Sequence, residues 1–337
     1  MGARLAFPRY TLIILQTKSR MHAMESFEYN ANSARVLFGM EKLAGEVKQS
    51  SLTKPMLIST PRQQSNFGGL AKMLDDASIT VASVFSKATM HTPTSVTEAA
   101  VEHARQSNAD SIISFGGGSA VGLGKAICIR TGLYQISIPT TYAGSEMTPI
   151  LGETSNGYKI TRSDPAILPR TVIYDVSYTL DLPLEVSTVS GVNAVAHAGT
   201  SILMSVILLQ LTFTEVEALY AQNTNPITNL LALEGISRLA HALPALVQDP
   251  QDLDARTIAQ YGAWLCGICL GSVGMSLHHK LCHTLGGSLG LPHAQTHAIV
   301  LPHVMAYNAP QVADVMVKLA AVLPGSNGSA VPCLTPY

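Results

Sequence analysis

Charge is scarce in this chain of 337 residues, since only 13% of them are Asp, Glu, Lys or Arg and the net charge at pH 7 is −1. Nucleic-acid phosphates are bound through clustered basic residues, so we expect no nucleic-acid partner. Apolar residues make up 47% of the chain, which is typical of a globular protein and not of a disordered one. No apolar run is long and clean enough for a transmembrane helix, so we expect no membrane partner.

The chain also lacks a disulfide framework. Its five cysteines are scattered and odd in number, which favours reduced thiols and a cytoplasmic location. Cys266 and Cys269 form a CxxC pair within the apolar run AWLCGICLG, and no second CxxC follows. We therefore interpret the pair as buried helix packing, not as a zinc or redox site.

The common dinucleotide fingerprint GxGxxG is missing as well. From Arg35 onward, however, strand and helix patterns alternate with short loops, which predicts a parallel α/β sheet with right-handed crossovers. The run Gly116-Gly117-Gly118-Ser119 follows one predicted strand and opens a helix, a place where backbone N–H groups bind phosphate. Alone, such a run is equally typical of a tight turn. The loop TTYAGSE at 140–146 ends the next strand and adds hydroxyls at the same edge of the sheet.

A ribbon-like region is predicted after Glu153, extending through TVIYD to residue 175. It gathers three cations, Lys159, Arg162 and Arg170, which indicate either a solvated surface or a carboxylate-binding site. From residue 182 the pattern becomes helical. Asn193 and His197 are four apart there and would share one face of a helix.

Histidines are concentrated between residues 277 and 308, where six of the eleven lie. They are His278, His279, His283, His293, His297 and His303. His279 and His283 are four apart, which places them on one helical face. Imidazoles collected from two helices are what a divalent metal site or an acid/base centre needs, whereas single histidines more often cap helices or pair with carbonyls.

Together these motifs resemble the iron-containing (group III) alcohol dehydrogenase superfamily, and most closely its maleylacetate reductase branch. The resemblance is carried by GGGS, PTTYAGSEMTP, NAVAH, HHKLCHTLGG and LPHAQTHAIVLPHVMAYN, and it runs from about residue 27 to 323. It implies an α/β N-terminal nucleotide-binding domain at 24–181 and an all-α C-terminal domain at 182–323. This is the dehydroquinate synthase-like fold, with the active site in the cleft between the domains.

The resemblance also implies a nicotinamide cofactor and its contacts. The matching positions for the diphosphate and nicotinamide are Gly116, Gly117, Gly118, Ser119, Thr140, Thr141 and Ser145. After the strand KPMLIST the chain offers Thr60 and Arg62, with no Asp or Glu for the ribose hydroxyl. Since an arginine also tolerates a 2′-phosphate, NADH and NADPH both remain open.

The superfamily's metal positions, an Asp and three His, correspond to Asn193, His197, His279 and His293. Asparagine in place of the carboxylate removes a negative charge from the metal's ligands, so we expect no retained Fe or Zn. The residues predicted to be catalytic are His197, His279, His283, His293, Tyr142 and Lys280. Lys159 and Arg162 are predicted to hold the carboxylates of a small dicarboxylate substrate, and Tyr142 and Lys280 are further candidates for this.

The predicted activity is NAD(P)H-dependent reduction of maleylacetate to 3-oxoadipate in the catabolism of aromatic compounds, by a homodimer. The alternative within enzymes is a metal-dependent alcohol or hydroxyacid dehydrogenase of the same superfamily. Three segments depart from the family pattern: residues 1–23, an apolar probable insertion at 199–215, and a Gly/Ser/Pro-rich tail at 324–337. The last two favour a further alternative, an inactive product of a mis-spliced, truncated gene.

Overall fold

A six-stranded parallel sheet forms the N-terminal half of the protein. The computed structural model describes residues 26–31, 34–39, 41–155, 157–184, 187, 213–289, 291 and 293–324. The strands of the main sheet are β1 (Arg35–Phe38), β2 (Pro55–Ile58), β3 (Ser83–Phe85), β4 (Ser111–Gly116), β5 (Tyr134–Pro139) and β8 (Thr171–Tyr174), arranged in the order β1-β8-β5-β4-β2-β3. The helices between them are α1 (Leu43–Gln49), α2 (Phe67–Asp76), α3 (Thr94–Gln106) and α4 (Gly118–Thr131).

Both faces of this sheet are buried, which explains why its strands are apolar without alternation. In β2, Leu57 contributes to a cluster with α1 and α2 on one face. Its neighbours Met56 and Ile58 contribute to a second cluster, with α3 and α4, on the other face. Side chains of a strand alternate between faces, so one four-residue strand supports two cores.

The region predicted as a ribbon divides into two structures. Strands β6 (Ile150–Ser155) and β7 (Tyr158–Ser163) do form an antiparallel hairpin. The prediction was wrong for the segment TVIY, because it forms β8, which lies inside the main sheet between β1 and β5. A four-residue apolar segment looks the same in a hairpin and in a buried parallel strand, and only its partners decide between them.

The C-terminal half is helical in the part that the structure describes. Its helices are α5 (Phe213–Leu219), α6 (Pro226–Gln248), α7 (Leu253–Ser272), α8 (Leu277–Leu289), α9 (His293–Asn308) and α10 (Ala313–Val322). The predicted fold class is thereby confirmed. Helix α6 is long and apolar enough to cross a membrane by length and composition, as buried core helices also are. The segment 1–23, the tail from 325 onward and most of 199–215 lie outside the described residues.

Helices α6 and α7 pack backbone against backbone through small residues. A Cβ on Gly262 would lie 3.1 Å from the Gly235 carbonyl oxygen, and a Cβ on Gly235 would lie 2.8 Å from Cys266 Sγ. Cys266 and Cys269 are buried in this contact, as predicted. Helix α7 also touches the N-terminal half, because a Cβ on Gly267 would lie 2.8 Å from the Gly144 carbonyl oxygen. The loop after β5 thus packs directly against α7.

Candidate active site

The glycine run ends β4 and opens α4, as the sequence predicted. Gly116 has φ +141°, a conformation that side chains rarely allow, and a Cβ there would collide with Gln63 Oε1. The N-cap of α4 is Gly117, which supplies no side-chain hydrogen bond, and the first helical turn carries no acid. The free N–H groups and the positive end of the helix dipole therefore favour an anion such as a phosphate group.

The loop after β5 covers this glycine run. A Cβ on Gly117 would lie 2.9 Å from Thr141 Cγ2, and one on Gly118 would lie 3.6 Å from Ser145 Oγ. Thr140 accepts a hydrogen bond of 2.6 Å from Gln63 Nε2. The Ser145 hydroxyl is buried and has no hydrogen-bond partner among the described residues. The three predicted cofactor contacts in this loop thus lie beside the glycine run. We call the whole group the glycine cradle: Gly116, Gly117, Gly118, Thr140, Thr141 and Ser145.

Lys125 fixes the far end of this loop from inside α4. Its side chain is 1% exposed, and its Nζ donates to the carbonyl oxygens of Ser145 at 2.6 Å, Thr148 at 2.7 Å and Ile150 at 3.0 Å. Burial lowers the pKa of Lys125 to about 7, although the nearby Glu146 carboxylate acts in the opposite direction. Glu146 is itself buried, which raises its pKa, and it accepts a hydrogen bond from the Tyr174 hydroxyl.

Lys125→Met is expected to change how stability depends on pH. The folded chain releases this proton near pH 7 and the unfolded chain near 10.5, so Lys125 contributes its full stability above pH 10.5 and loses it progressively as the pH falls from 10.5 to 7. One pKa unit corresponds to about 1.4 kcal/mol. The difference in free energy of unfolding between wild type and Lys125→Met, measured by urea titration, should grow by a few kcal/mol between pH 7 and 10. A constant difference across that range would contradict the assignment.

Three buried histidines meet a buried glutamate in the helical half. One potential ligand atom from each of His278, His279 and His297 lies within 4.8 Å of the others. His279 Nδ1 lies 2.6 Å from Glu217 Oε2, and His278 Nε2 lies 3.0 Å from the His297 carbonyl oxygen. Helices α5, α8 and α9 each contribute to this cluster.

Two lysines lie near His283, beside the histidine cluster. Burial lowers the pKa of His278 to about 4. Burial and then the charges of Lys159, His279 and Lys280 lower the pKa of His283. Burial therefore favours the neutral imidazole of His278, while Lys159 and Lys280 lie near His283. This is a site suited to an anionic molecule that needs a proton.

The two predicted substrate cations occupy different situations on the β6–β7 hairpin. Lys159 lies across the partner strand, where its Cε would be 3.0 Å from a Cβ on Gly152, and this loss of solvent lowers its pKa. Arg162 instead binds the Glu153 carboxylate at 2.9 Å, and Glu153 is also paired with Arg130 at 2.9 Å. Among the described residues no carboxylate forms an ion pair with Lys159, so this side chain can bind a ligand, whereas Arg162 is already paired with Glu153.

The remaining predicted residues are distributed as follows. Tyr142 is buried in the helical core, with its hydroxyl 3.4 Å from Arg256 Nη1; burial raises its pKa, although Arg256 opposes this. Thr60 and the exposed Arg62 lie where the chain enters the short helix Pro61–Asn66. His293 begins α9. Asn193 and His197 lie outside the described residues, so their roles stay predictions.

Sequence reasoning missed Gln63, Lys125 and Glu217. Lys125 had a usable signal, since it is a lone charge in the apolar helix AVGLGKAICI and a buried lysine needs several acceptors. Glu217 had none, because its partner His279 is 62 residues further along the chain.

The described histidines suit a divalent metal by donor type. Zn²⁺ and Fe²⁺ accept imidazole nitrogen, and His278, His279 and His297 offer three such atoms. This set shares only His279 with the four positions that the superfamily resemblance implies. The expectation that no metal is retained stays a prediction.

Comparison with known proteins agrees with this fold. Residues 33–176 match the iron-containing alcohol dehydrogenase family, and residues 213–333 match the C-terminal part of the Fe-containing alcohol dehydrogenase family. The chain is 49% identical to the maleylacetate reductase of Rhizobium sp. (strain MTP-10005), over 91% of this chain and 83% of that protein. It is 45% identical to that of Burkholderia cepacia, over 89% and 80% of the two chains.

A solved structure extends the likeness to three dimensions. The crystal structure of maleylacetate reductase from Agrobacterium tumefaciens matches with a TM-score of 0.81 at 47% identity, covering 92% of this chain and 83% of that one. The chain belongs to the iron-containing alcohol dehydrogenase family and, within it, to the maleylacetate reductases.

Proposed function

We propose that this chain reduces maleylacetate to 3-oxoadipate with NADH or NADPH. The observation that carries the proposal is the pair of sites just described: a glycine cradle for a diphosphate, and a histidine cluster with two lysines near His283. Relatives at 44–49% identity that carry the name maleylacetate reductase support the substrate.

The cradle suits the cofactor's diphosphate. The start of α4 carries no side chains at Gly116, Gly117 and Gly118. The side chains of Thr141 and Ser145 lie close to the positions that Cβ atoms on Gly117 and Gly118 would occupy. When bound, the reduced nicotinamide supplies the hydride. Ser145 Oγ, buried without a described partner, is placed to donate to a phosphate oxygen.

The histidines supply the proton. Hydride addition to the carbon β to the ketone leaves negative charge on the ketone oxygen as an enolate. In its doubly protonated form the imidazole of His279 or His283 donates an N–H to that oxygen, passes the proton to the carbon α to the ketone and returns to the neutral form. Such positioned acid catalysis contributes about 10²–10⁴-fold in rate. A conjugated double bond needs no Lewis acid for this step, which agrees with Asn193 standing at the superfamily's carboxylate position.

We assign the binding of the substrate's carboxylates to two lysines. Lys159 and Lys280 lie near enough to His283 to lower its pKa, so both can bind a carboxylate of a molecule held against that histidine. We assign Arg162 a secondary role in this, because Glu153 already binds it.

A metal-dependent alcohol or hydroxyacid dehydrogenase is the second candidate, and the three clustered imidazoles favour it. The test is oxidation of NADH or NADPH by maleylacetate after exhaustive chelation, compared with NAD⁺ reduction by short alcohols and hydroxyacids with added Fe²⁺ or Zn²⁺. Turnover of maleylacetate by the chelated protein supports the reductase. Activity only with metal and alcohols would overturn it. A matched protein lacking residues 199–215 shows whether that segment affects turnover.

We further propose a homodimer in the cytoplasm. Sedimentation of the purified chain tests the first point, and fractionation of the source cells tests the second.

A further inference from the structure

Glu217 holds both a helix end and a histidine ring. The residue is fully buried in α5, yet its carboxylate accepts from four N–H groups, which belong to Ser276, just before α8, and to the first turn of that helix. Oε1 accepts from the backbone N–H of His278 at 2.7 Å, and Oε2 accepts from those of Ser276 at 3.1 Å and His279 at 3.4 Å. The fourth donor is His279 Nδ1, 2.6 Å from Oε2.

These contacts fix the position of the carboxylate before it meets the ring. Three backbone N–H groups at the start of α8 have no partner within their own helix, and the helix dipole favours a negative charge there. Both carboxylate oxygens thus meet backbone N–H donors at the positive end of a helix dipole, which holds Glu217 as an ionised acceptor.

An ionised carboxylate accepts hydrogen bonds and donates none. The proton shared with Glu217 therefore belongs to Nδ1 of His279, and the ring presents Nε2 on its opposite side. The edge-to-face packing of this ring against His297, with centroids 5.0 Å apart and planes at 73°, limits its rotation. Tautomer and orientation are both determined by residues from other helices.

We propose that Glu217 is a positioning residue for the reduction, which fixes the tautomer and orientation of His279 so that Nε2 faces the substrate. The inference rests on the proposed function. It does not depend on whether Nε2 meets a substrate oxygen or a metal ion, because a carboxylate behind the other ring nitrogen orients the imidazole in either case.

The test is a double-mutant cycle of Glu217→Gln and His279→Ala, with kcat for maleylacetate as the readout. Glu217→Gln alone should lower kcat about 10–100-fold and leave the Kd for NADH unchanged. In the His279→Ala background, Glu217→Gln should lower kcat no further, because the group through which it acts is gone. A purely structural role would instead lower kcat by the same factor in both backgrounds, which overturns the inference.

Asn225→Ala is the matched control for loss of a helix cap. Asn225 caps α6 by accepting from the backbone N–H groups of Ile227 and Thr228, so its removal should lower Tm and leave kcat unchanged. An equal loss of kcat in this control would mean that the cap alone matters, and would overturn the inference.

The tautomer can also be observed without a variant at Glu217. In ¹⁵N-histidine spectra of the wild-type protein, the His279 signal (assigned by its loss in His279→Ala) should show a protonated Nδ1, and a protonated Nε2 with bare Nδ1 would overturn the inference. Intact kcat in Glu217→Gln, with kcat lost in His279→Ala, overturns the inference alone. Full turnover by His279→Ala also overturns the inference, whereas absence of maleylacetate turnover in the folded wild-type protein overturns the proposed function.

Discussion

His279→Ala is expected to lower kcat for maleylacetate by about 10²–10⁴-fold, the usual contribution of a positioned acid. The imidazole is held against Glu217 at 2.6 Å, and its removal leaves the developing enolate without this donor. Cofactor affinity should change little, because the glycine cradle lies on β4 and α4. Steady-state oxidation of NADH, with kcat and KM determined separately, measures the effect.

His241→Ala is the matched control for that experiment. His241 lies exposed on α6, where its Nδ1 pairs with the Ser237 carbonyl oxygen of its own helix. Its loss should leave kcat within a factor of two or so, since exposed positions contribute little. If His279→Ala turned over at the wild-type rate, the acid role would pass to another group.

Gly116→Ala is expected to weaken NADH binding by at least about tenfold. The residue has φ +141°, and the new Cβ would collide with the Gln63 amide, which itself holds Thr140. Backbone strain of this kind costs about 1–3 kcal/mol, and 1.4 kcal/mol corresponds to tenfold in affinity. Titration of NADH fluorescence measures Kd directly.

Gly45→Ala is the control here, because this α1 glycine has no atom within 4 Å of the added Cβ. An alanine in an open helical position stabilises a helix by up to about 1 kcal/mol, so Tm should hold or rise while Kd stays constant. Unchanged NADH affinity in a folded Gly116→Ala protein would show that the cradle does not bind the cofactor.

The α/β half could be predicted from its sequence because the information there is local. Buried strands, amphipathic helices and the turn at Gly116-Gly117-Gly118 are each encoded within a few residues. Strand order is not encoded in this way. The apolar segment of β8 fits either a hairpin or the centre of the sheet, and the structure places it between β1 and β5.

In the candidate site too, the features set by nearby residues were predictable and the contacts between distant segments were not. The placement of Thr141 and Ser145 beside the glycine run was predictable because the carboxyl ends of neighbouring parallel strands meet at one edge. The Glu217–His279 contact was not predictable. Its residues lie on α5 and α8, 62 positions apart in the chain, and nothing in the sequence around one residue indicates the other. The resemblance in the histidine motif directed attention to His279 and His283, but their positioning groups became visible only in three dimensions.

The most direct test of the account is the fate of the transferred hydride. The chelated protein should be incubated with maleylacetate and NADH deuterated at the transferred position of nicotinamide C4, and the product examined by NMR. The account predicts 3-oxoadipate with one non-exchangeable deuterium on the carbon β to the ketone. Deuterium on a carbinol carbon, in a hydroxyacid formed only when metal is present, would show carbonyl reduction and contradict it.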